Sequence, residues 1–270
     1  MNSNIVNCLK PYLETVVLLR SNEKPKNSIQ AQPEKYVCIM SLYAQVTKNS
    51  KIAVFDRETY GCPGAKAGLG FGSGYSNNMG GYETFSAFFS KGIEDAKNPE
   101  EYRKIAEQAN PHVRKKLIEG ERFQKTREKA YKWITEELPI YNWPEKYVIL
   151  KPLKDLKKDE IPESVIFNVN PLQLTALITL TGSIRKGINE TITPQGAACQ
   201  MIGAYVFKEG ESNNPKAVLG MIDLAARKTI QNILPKDLLT YAVPWNLFLE
   251  LEKEAKEGIF KSPLWQDIIK

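Results

Sequence analysis

The sequence predicts an α+β protein of mixed α/β type, with two weakly similar α/β halves around a common cleft and a helical insert between them. Three observations carry this. Short runs rich in β-branched residues stand towards both ends of the chain but not in its middle. The middle has apolar residues at helical spacing. The two ends share a weak pattern of Cys, Met, Tyr, strand and polar residue in one order. All 270 residues read as a single domain, with sub-regions 10–82, 83–140 and 145–270.

In the first sub-region, residues 14–19 (ETVVLL) and 51–55 (KIAVF) read as strands. The ten-residue apolar run 37–46 (VCIMSLYAQV) is helical by its length. Eight glycines follow in the 21 residues from Gly61 to Gly81. In the second, Phe85, Phe88 and Phe89, then Tyr102, Ile105 and Ala106, then Tyr131 and Ile134 mark helical faces. Asn98 before Pro99 is an N-cap followed by proline at the first helical position. Pro111 and Gly120 divide this stretch into at least three helices. In the third, residues 147–150, 165–169 and 216–222 read as strands. Residues 171–181 and 194–207 read as helices, and 247–257 as a terminal amphipathic helix with Asn246 as its cap.

Composition bounds the function. A chain of this length buries enough surface to need no disulfide or metal for its core. The net charge, 37 − 31 = +6, is too mild for a dedicated nucleic-acid binder. The basic stretch 114–129 is interleaved with Glu119, Glu121 and Glu128 and reads as a solvated helix face, and Trp133, Tyr141 and Trp143 read as core or rim. Met1 to Lys10 has no basic start leading into an apolar stretch, and no apolar run approaches the roughly 20 residues that span a bilayer. The expectation is a cytoplasmic protein with no membrane and no nucleic-acid partner, whose four cysteines are thiols or ligands and not disulfides. The single histidine, His112, lies in a basic helical stretch and reads as a surface residue. It excludes multi-histidine zinc sites.

Cys62, in Gly61-Cys62-Pro63-Gly64, carries the strongest local signal. Pro63 pushes the residue before it to extended backbone and suits a helix start. Cys62 is thus expected as the N-cap of a helix Pro63-Gly-Ala-Lys66-Ala, where free N–H groups lower a thiol pKa and favour thiolate. Lys66, one turn on, adds to this. The glycines Gly61, Gly64, Gly68 and Gly70 follow a strand as phosphate-binding loops do, though they match neither Walker A nor G-x-G-x-x-G. Exposed N–H groups there would cradle an anion, and residues 76–81 suggest a mobile lid. In the repeat, Cys38, Met40 and Tyr43 before a strand and then Cys62 match Cys199, Met201 and Tyr205 before a strand and then Arg227. That places Cys38 and Cys199 at a common cleft.

The run holding Cys38, the Gly-Cys-Pro-Gly-Ala element and Gly68-Leu-Gly70 resemble the domain of unknown function 169 family, the uncharacterised ArCR-type proteins. Val165-Ile-Phe-Asn-Val-Asn-Pro171-Leu-Gln173, the Ala-Ala-Cys199 helix, Gly220-Met-Ile-Asp223-Leu-Ala-Ala-Arg227 and Val243-Pro244-Trp245 fit it too. The resemblance spans about residues 12–255 except the insert. It implies that Cys38, Cys62 and Cys199 form one pattern and that Cys8 stands outside it. The chain departs from some relatives in having Met221 near the glycine, which leaves a fourth protein ligand unassigned.

Three function classes remain. Thiolates of Cys38, Cys62 and Cys199 suit a [4Fe–4S] cluster with one iron open, for redox, sulfur-transfer or Lewis-acid chemistry. Lys66 and Arg227 would then hold a small anionic substrate, and a redox partner would supply or take electrons. Alternatively Cys62 is the nucleophile of a cluster-free thiol enzyme, with Gly64 and Ala65 N–H groups holding its negative intermediates. In the third class the glycine loop binds a small anionic ligand without catalysis and the cysteines are core residues.

Overall fold

The computed structural model describes residues 1–33, 37–109 and 111–269; the side chain of His112, and with it the surface position expected for that residue, lies outside the description. The chain forms two compact units, Met1–Phe71 with Tyr141–Lys270, and Gly72–Ile140.

The chain opens with α1 (Asn4–Leu9), β1 (Val16–Ser21), β2 (Ile29–Gln30), α2 (Met40–Asn49), β3 (Ala53–Phe55) and α3 (Pro63–Gly68). The middle holds α4 (Gly81–Phe89), α5 (Pro99–Gln108), α6 (Pro111–Glu119) and α7 (Arg127–Lys132). Then come β4 (Tyr147–Pro152), β5 (Ser164–Val169), α8 (Pro171–Ile184), β6 (Thr191–Ile192), α9 (Ala198–Ile202), α10 (Ala204–Gly210) and β7 (Ala217–Gly220). The chain closes with α11 (Leu224–Ile230), β8 (Leu239–Pro244), α12 (Trp245–Glu254) and α13 (Pro263–Ile268). This is an α+β fold built on one mixed sheet of eight strands, ordered β2-β3-β4-β1-β5-β8-β7-β6.

That order has an internal twofold. At its centre β1 and β5 run antiparallel, with Val17 opposite Val165. Outwards from β1, β4 and β3 are antiparallel neighbours and β2 joins β3 in parallel. Outwards from β5, β8 and β7 repeat the antiparallel steps and β6 joins β7 in parallel. Pro152 opposite Val16 and Pro244 opposite Ser164 close β4 and β8 at equivalent places. Each proline is the last residue of its strand. The symmetry also shows that β4, although it follows the insert in sequence, completes the first half of the sheet.

Period-2 alternation sorts the strands between two faces. Val17, Leu19, Val165, Phe167, Val169, Tyr241 and Val243 join one apolar core with Leu177 and Leu180 of α8 and with Leu247, Phe248 and Leu251 of α12. The opposite face is covered by α2 on β3 and β4, and by α9 and α10 on β7 and β8. There Tyr43 of α2 donates to Asn168 Oδ1 of β5 at 2.7 Å, fully buried, and Asn168 Nδ2 donates to the Glu14 carbonyl.

Several elements differ from expectation. The helix expected over 194–207 is two helices, broken at Gly203, where a Cβ would stand 2.0 Å from the Gly68 carbonyl oxygen. The last long helix begins at Trp245 with Pro244 as its cap, one residue before Asn246. Strands β2 and β6 have two residues each, too few for periodicity to reveal.

The unit Gly72–Ile140 packs its own core of aromatic edges, Phe89 against Tyr75, Phe123 and Trp133. Asn98 caps α5 by accepting from the Glu101 N–H, as its sequence predicts, and Thr126 caps α7 likewise. Lys115 and Lys116 pair with Glu119 and Glu121, the interleaving of opposite charges expected of a solvated helix face.

Candidate functional site

The twofold relates β3–α3 to β7–α11, and α2 to the α9–α10 pair. The packing agrees: α3 lies on α9, and α11 lies on α2. Four helix starts therefore meet on one face of the sheet. Cys62 is the N-cap of α3, with φ −143° and ψ 164° and Pro63 at the first helical position. Cys38 stands two residues before α2. Cys199 is the second residue of α9. Asp223 is the N-cap of α11.

Two glycine contacts fix this meeting. The Val37 N–H donates to the Gly61 carbonyl at 3.3 Å, bringing the residues before Cys38 and Cys62 together. Gly61 has φ +87°, and a Cβ there would lie 2.4 Å from the Val37 carbonyl oxygen, so glycine is required for both backbone and space. On the other side, a Cβ at Gly68 would lie 2.8 Å from the Cys199 carbonyl carbon and oxygen. Helices α3 and α9 touch backbone to backbone because Gly68 and Gly203 carry no side chain. Gly70, with φ +81°, makes way for the Trp143 ring, which a Cβ would meet at 2.2 Å. Gly64 is buried inside α3. Gly61, Gly68 and Gly70, among the glycines expected to cradle an anion, each stand in tight contact with another part of the chain.

Cys199 is buried, and Cys38 and Cys62 are half-buried. Burial pushes the Cys62 thiol up to about 12, and Cys38 pushes it further the same way, against the pull of the Ala65 and Gly64 N–H groups. The helix start does act on the sulfur as the sequence suggests, but burial and the neighbouring sulfur outweigh it. The ionised form expected at Cys62 is therefore disfavoured in the metal-free chain. Burial, Cys62, Cys38 and Asp223 together push Cys199 well above the usual thiol range. A raised thiol pKa adds stability that is complete below the unfolded value, near 9, and is lost as pH rises towards 12. Metal-free protein should therefore lose stability in denaturant melts between those pH values. Cys62→Ser should flatten that loss; an unchanged pH profile would contradict the burial of this thiol.

The remaining predicted residues fall as follows. Lys66 is half-buried in α3 with its ammonium 5.4 Å from the centre of the Tyr60 ring. The Arg227 guanidinium donates to the Lys236 and Leu238 carbonyls at 2.7 and 2.9 Å, anchoring the loop into β8. By residue type Arg227 stands opposite Cys62 in the repeat; by strand topology Asp223 does. Cys8 packs against the core on the far face of the sheet, apart from the other three. Met221 is buried with φ +62°, a conformation that costs a non-glycine residue energy and that gathers at functional sites.

The donor set is three soft sulfurs and one carboxylate. Soft thiolates select iron–sulfur clusters, zinc or copper(I). Among the described residues, no group of three or more His, Cys, Asp or Glu side chains is arranged to hold a metal ion. A single zinc ion needs every sulfur about 2.3 Å from one centre. A cluster takes each cysteine on a different iron, so its ligands stand further apart, and the donor set fits that group by chemistry. Among the described residues no helix is long and apolar enough to cross a membrane.

The family of domain of unknown function 169, described as uncharacterised ArCR, matches residues 4–254, and the chain belongs to it. No curated protein and no solved structure matches the chain.

Proposed function

We propose that this member of the family binds a [4Fe–4S] cluster through Cys38, Cys62 and Cys199. The observation that carries the reading is the meeting of these three cysteines, from chain positions 24 and 137 residues apart, at helix starts on one face of the sheet. Cys38 raises the pKa of Cys62, and both raise that of Cys199. A neutral thiol is a poor nucleophile, and the raised pKa of Cys62 weighs against a cluster-free thiol enzyme. Packing at Gly61, Gly68 and Gly70 weighs against an anion cradle. A bound cluster would supply Lewis-acid, electron-transfer or sulfur-transfer chemistry at an iron that no cysteine holds.

The chain's own part is to bind and orient. The Gly64 and Ala65 N–H groups aim at the Cys62 sulfur and favour its charged form, the form that binds iron. Burial around Cys199 keeps water from one side of the site. Lys66 is the cation this reading assigns to a small anionic substrate, and a redox partner is its companion expectation. Arg227, tied to two carbonyls, takes no part. Protein isolated without oxygen should be brown, with broad visible absorption that dithionite bleaches. Colourless protein whose Cys62 reacts rapidly with iodoacetamide at pH 8 would favour the thiol enzyme instead.

A further inference from the structure

We propose that Asp223 is the fourth protein ligand of the site, at the position that the internal twofold makes equivalent to Cys62. The inference rests on the cluster reading above and extends it to the iron that no cysteine holds.

The placement is topological first. Strand β3 leads into α3 through Cys62, and β7 leads into α11 through Asp223. Register makes the two strand ends equivalent: Phe55 pairs with Val148, Gly220 pairs with Thr240, and Val148 and Thr240 are equivalent positions of β4 and β8. Both residues are N-caps with extended backbone, Asp223 at φ −80° and ψ 118°.

The contacts agree. Asp223 Oδ2 accepts the Ala198 N–H at 3.1 Å, and Ala198 is the neighbour of Cys199. Oδ1 accepts the Ala225 and Ala226 N–H groups at 2.8 and 3.3 Å. The carboxylate thus bridges the starts of α9 and α11 and is fixed in orientation. Oδ2 takes one of these hydrogen bonds, and a carboxylate oxygen has two lone pairs, so one remains for a ligand bond. Met221, two residues earlier, holds the strained backbone that turns β7 towards this start.

A carboxylate is a harder ligand than a thiolate and holds cluster iron less tightly. The iron on Asp223 should be the one that leaves on oxidation. Removing one electron from a [4Fe–4S]2+ core gives the 3+ state, which releases Fe2+ and leaves [3Fe–4S]+. The test adds ferricyanide, a one-electron oxidant, to anaerobically reconstituted protein and follows the [3Fe–4S]+ signal by electron paramagnetic resonance. Asp223→Asn keeps the N-cap, since Asn caps as well as Asp, but has no carboxylate. It should convert roughly tenfold faster or more than the unaltered chain, the scale on which even outer partners of a metal alter its hold. Asp223→Cys should convert more slowly than the unaltered chain. Equal rates in all three proteins, each carrying its full iron, would overturn the role of Asp223 and leave the three-cysteine reading standing. Failure of the unaltered chain to take up iron and sulfide would overturn both.

Discussion

Replacing Cys38, Cys62 or Cys199 singly with serine should abolish retention of iron on anaerobic desalting, while Cys8→Ser should leave it unchanged. Thermodynamics sets the direction. Without metal, Cys62 and Cys199 are neutral thiols, with Cys62 at about 12 and Cys199 well above the usual range. Iron must displace those protons, and binding a metal to thiolates repays that cost. A serine hydroxyl is far less acidic and a harder donor, so it cannot replace a thiolate. Serine nearly matches cysteine in size, so the fold should survive; Cys62→Ser even removes a pH-linked loss of stability. Far-ultraviolet circular dichroism and melting temperature would establish that the variants fold. Cys8 is the internal control, because α1 carries it on the far face of the sheet. If Cys8→Ser lost as much iron as the others, iron binding would not be specific to the three-cysteine group.

Two glycine-to-alanine substitutions in helices should act in opposite directions. Alanine is favoured over glycine inside a helix by about 1 kcal/mol. At Gly182 in α8 a Cβ meets nothing within 4 Å, so Gly182→Ala should stabilise by roughly 0.5–1 kcal/mol. At Gly68 a Cβ would stand 2.8 Å from the Cys199 carbonyl and 2.9 Å from the Gln200 nitrogen. Those are backbone atoms, which cannot swing aside as a side chain can. Gly68→Ala should therefore destabilise by about 1–3 kcal/mol, as overpacked cores do, in spite of the helix preference. It should also weaken iron binding, because the clash is relieved by moving Cys199 away from Cys62. Urea melts of both variants would decide. Gly68→Ala as stable as the parent would mean that α3 and α9 do not touch at this point.

The cysteine group is legible in the sequence because its signals are local. Pro63 after Cys62 fixes an extended residue and a helix start, and the structure has both. Apolar runs placed α2 and the region of α9. Helix α8 begins at Pro171, as the reading of 171–181 as a helix expects, and Asn170 and Gln173 form its capping box. The break at Gly203 was not legible, because it depends on Gly68, 135 positions away in the chain. The sheet order was not legible either: β2 and β6 are two residues long, and β4 belongs to the first half although the insert separates it from β3. Asp223 had a usable signal, an aspartate directly before the helix formers Leu-Ala-Ala-Arg. Matching the repeat by residue type passed over it for Arg227. Matching by strand and cap, which the topology permits, finds it.

The glycine-rich stretch illustrates a general ambiguity. Glycine after a strand signals close approach of something to the backbone. The sequence does not say whether that something is a phosphate or another part of the chain. Here Gly61 meets Val37, Gly68 meets Cys199, and Gly70 meets Trp143. Two of these tight contacts, at Gly61 and Gly68, lie beside Cys62 and Cys199.

The most direct measurement is iron and acid-labile sulfide on protein purified throughout without oxygen, referred to protein by amino-acid analysis. The three-cysteine site with Asp223 predicts about four iron and about four sulfide per chain, in equal amounts. Protein without iron and sulfide, or with a single zinc in their place, would contradict it.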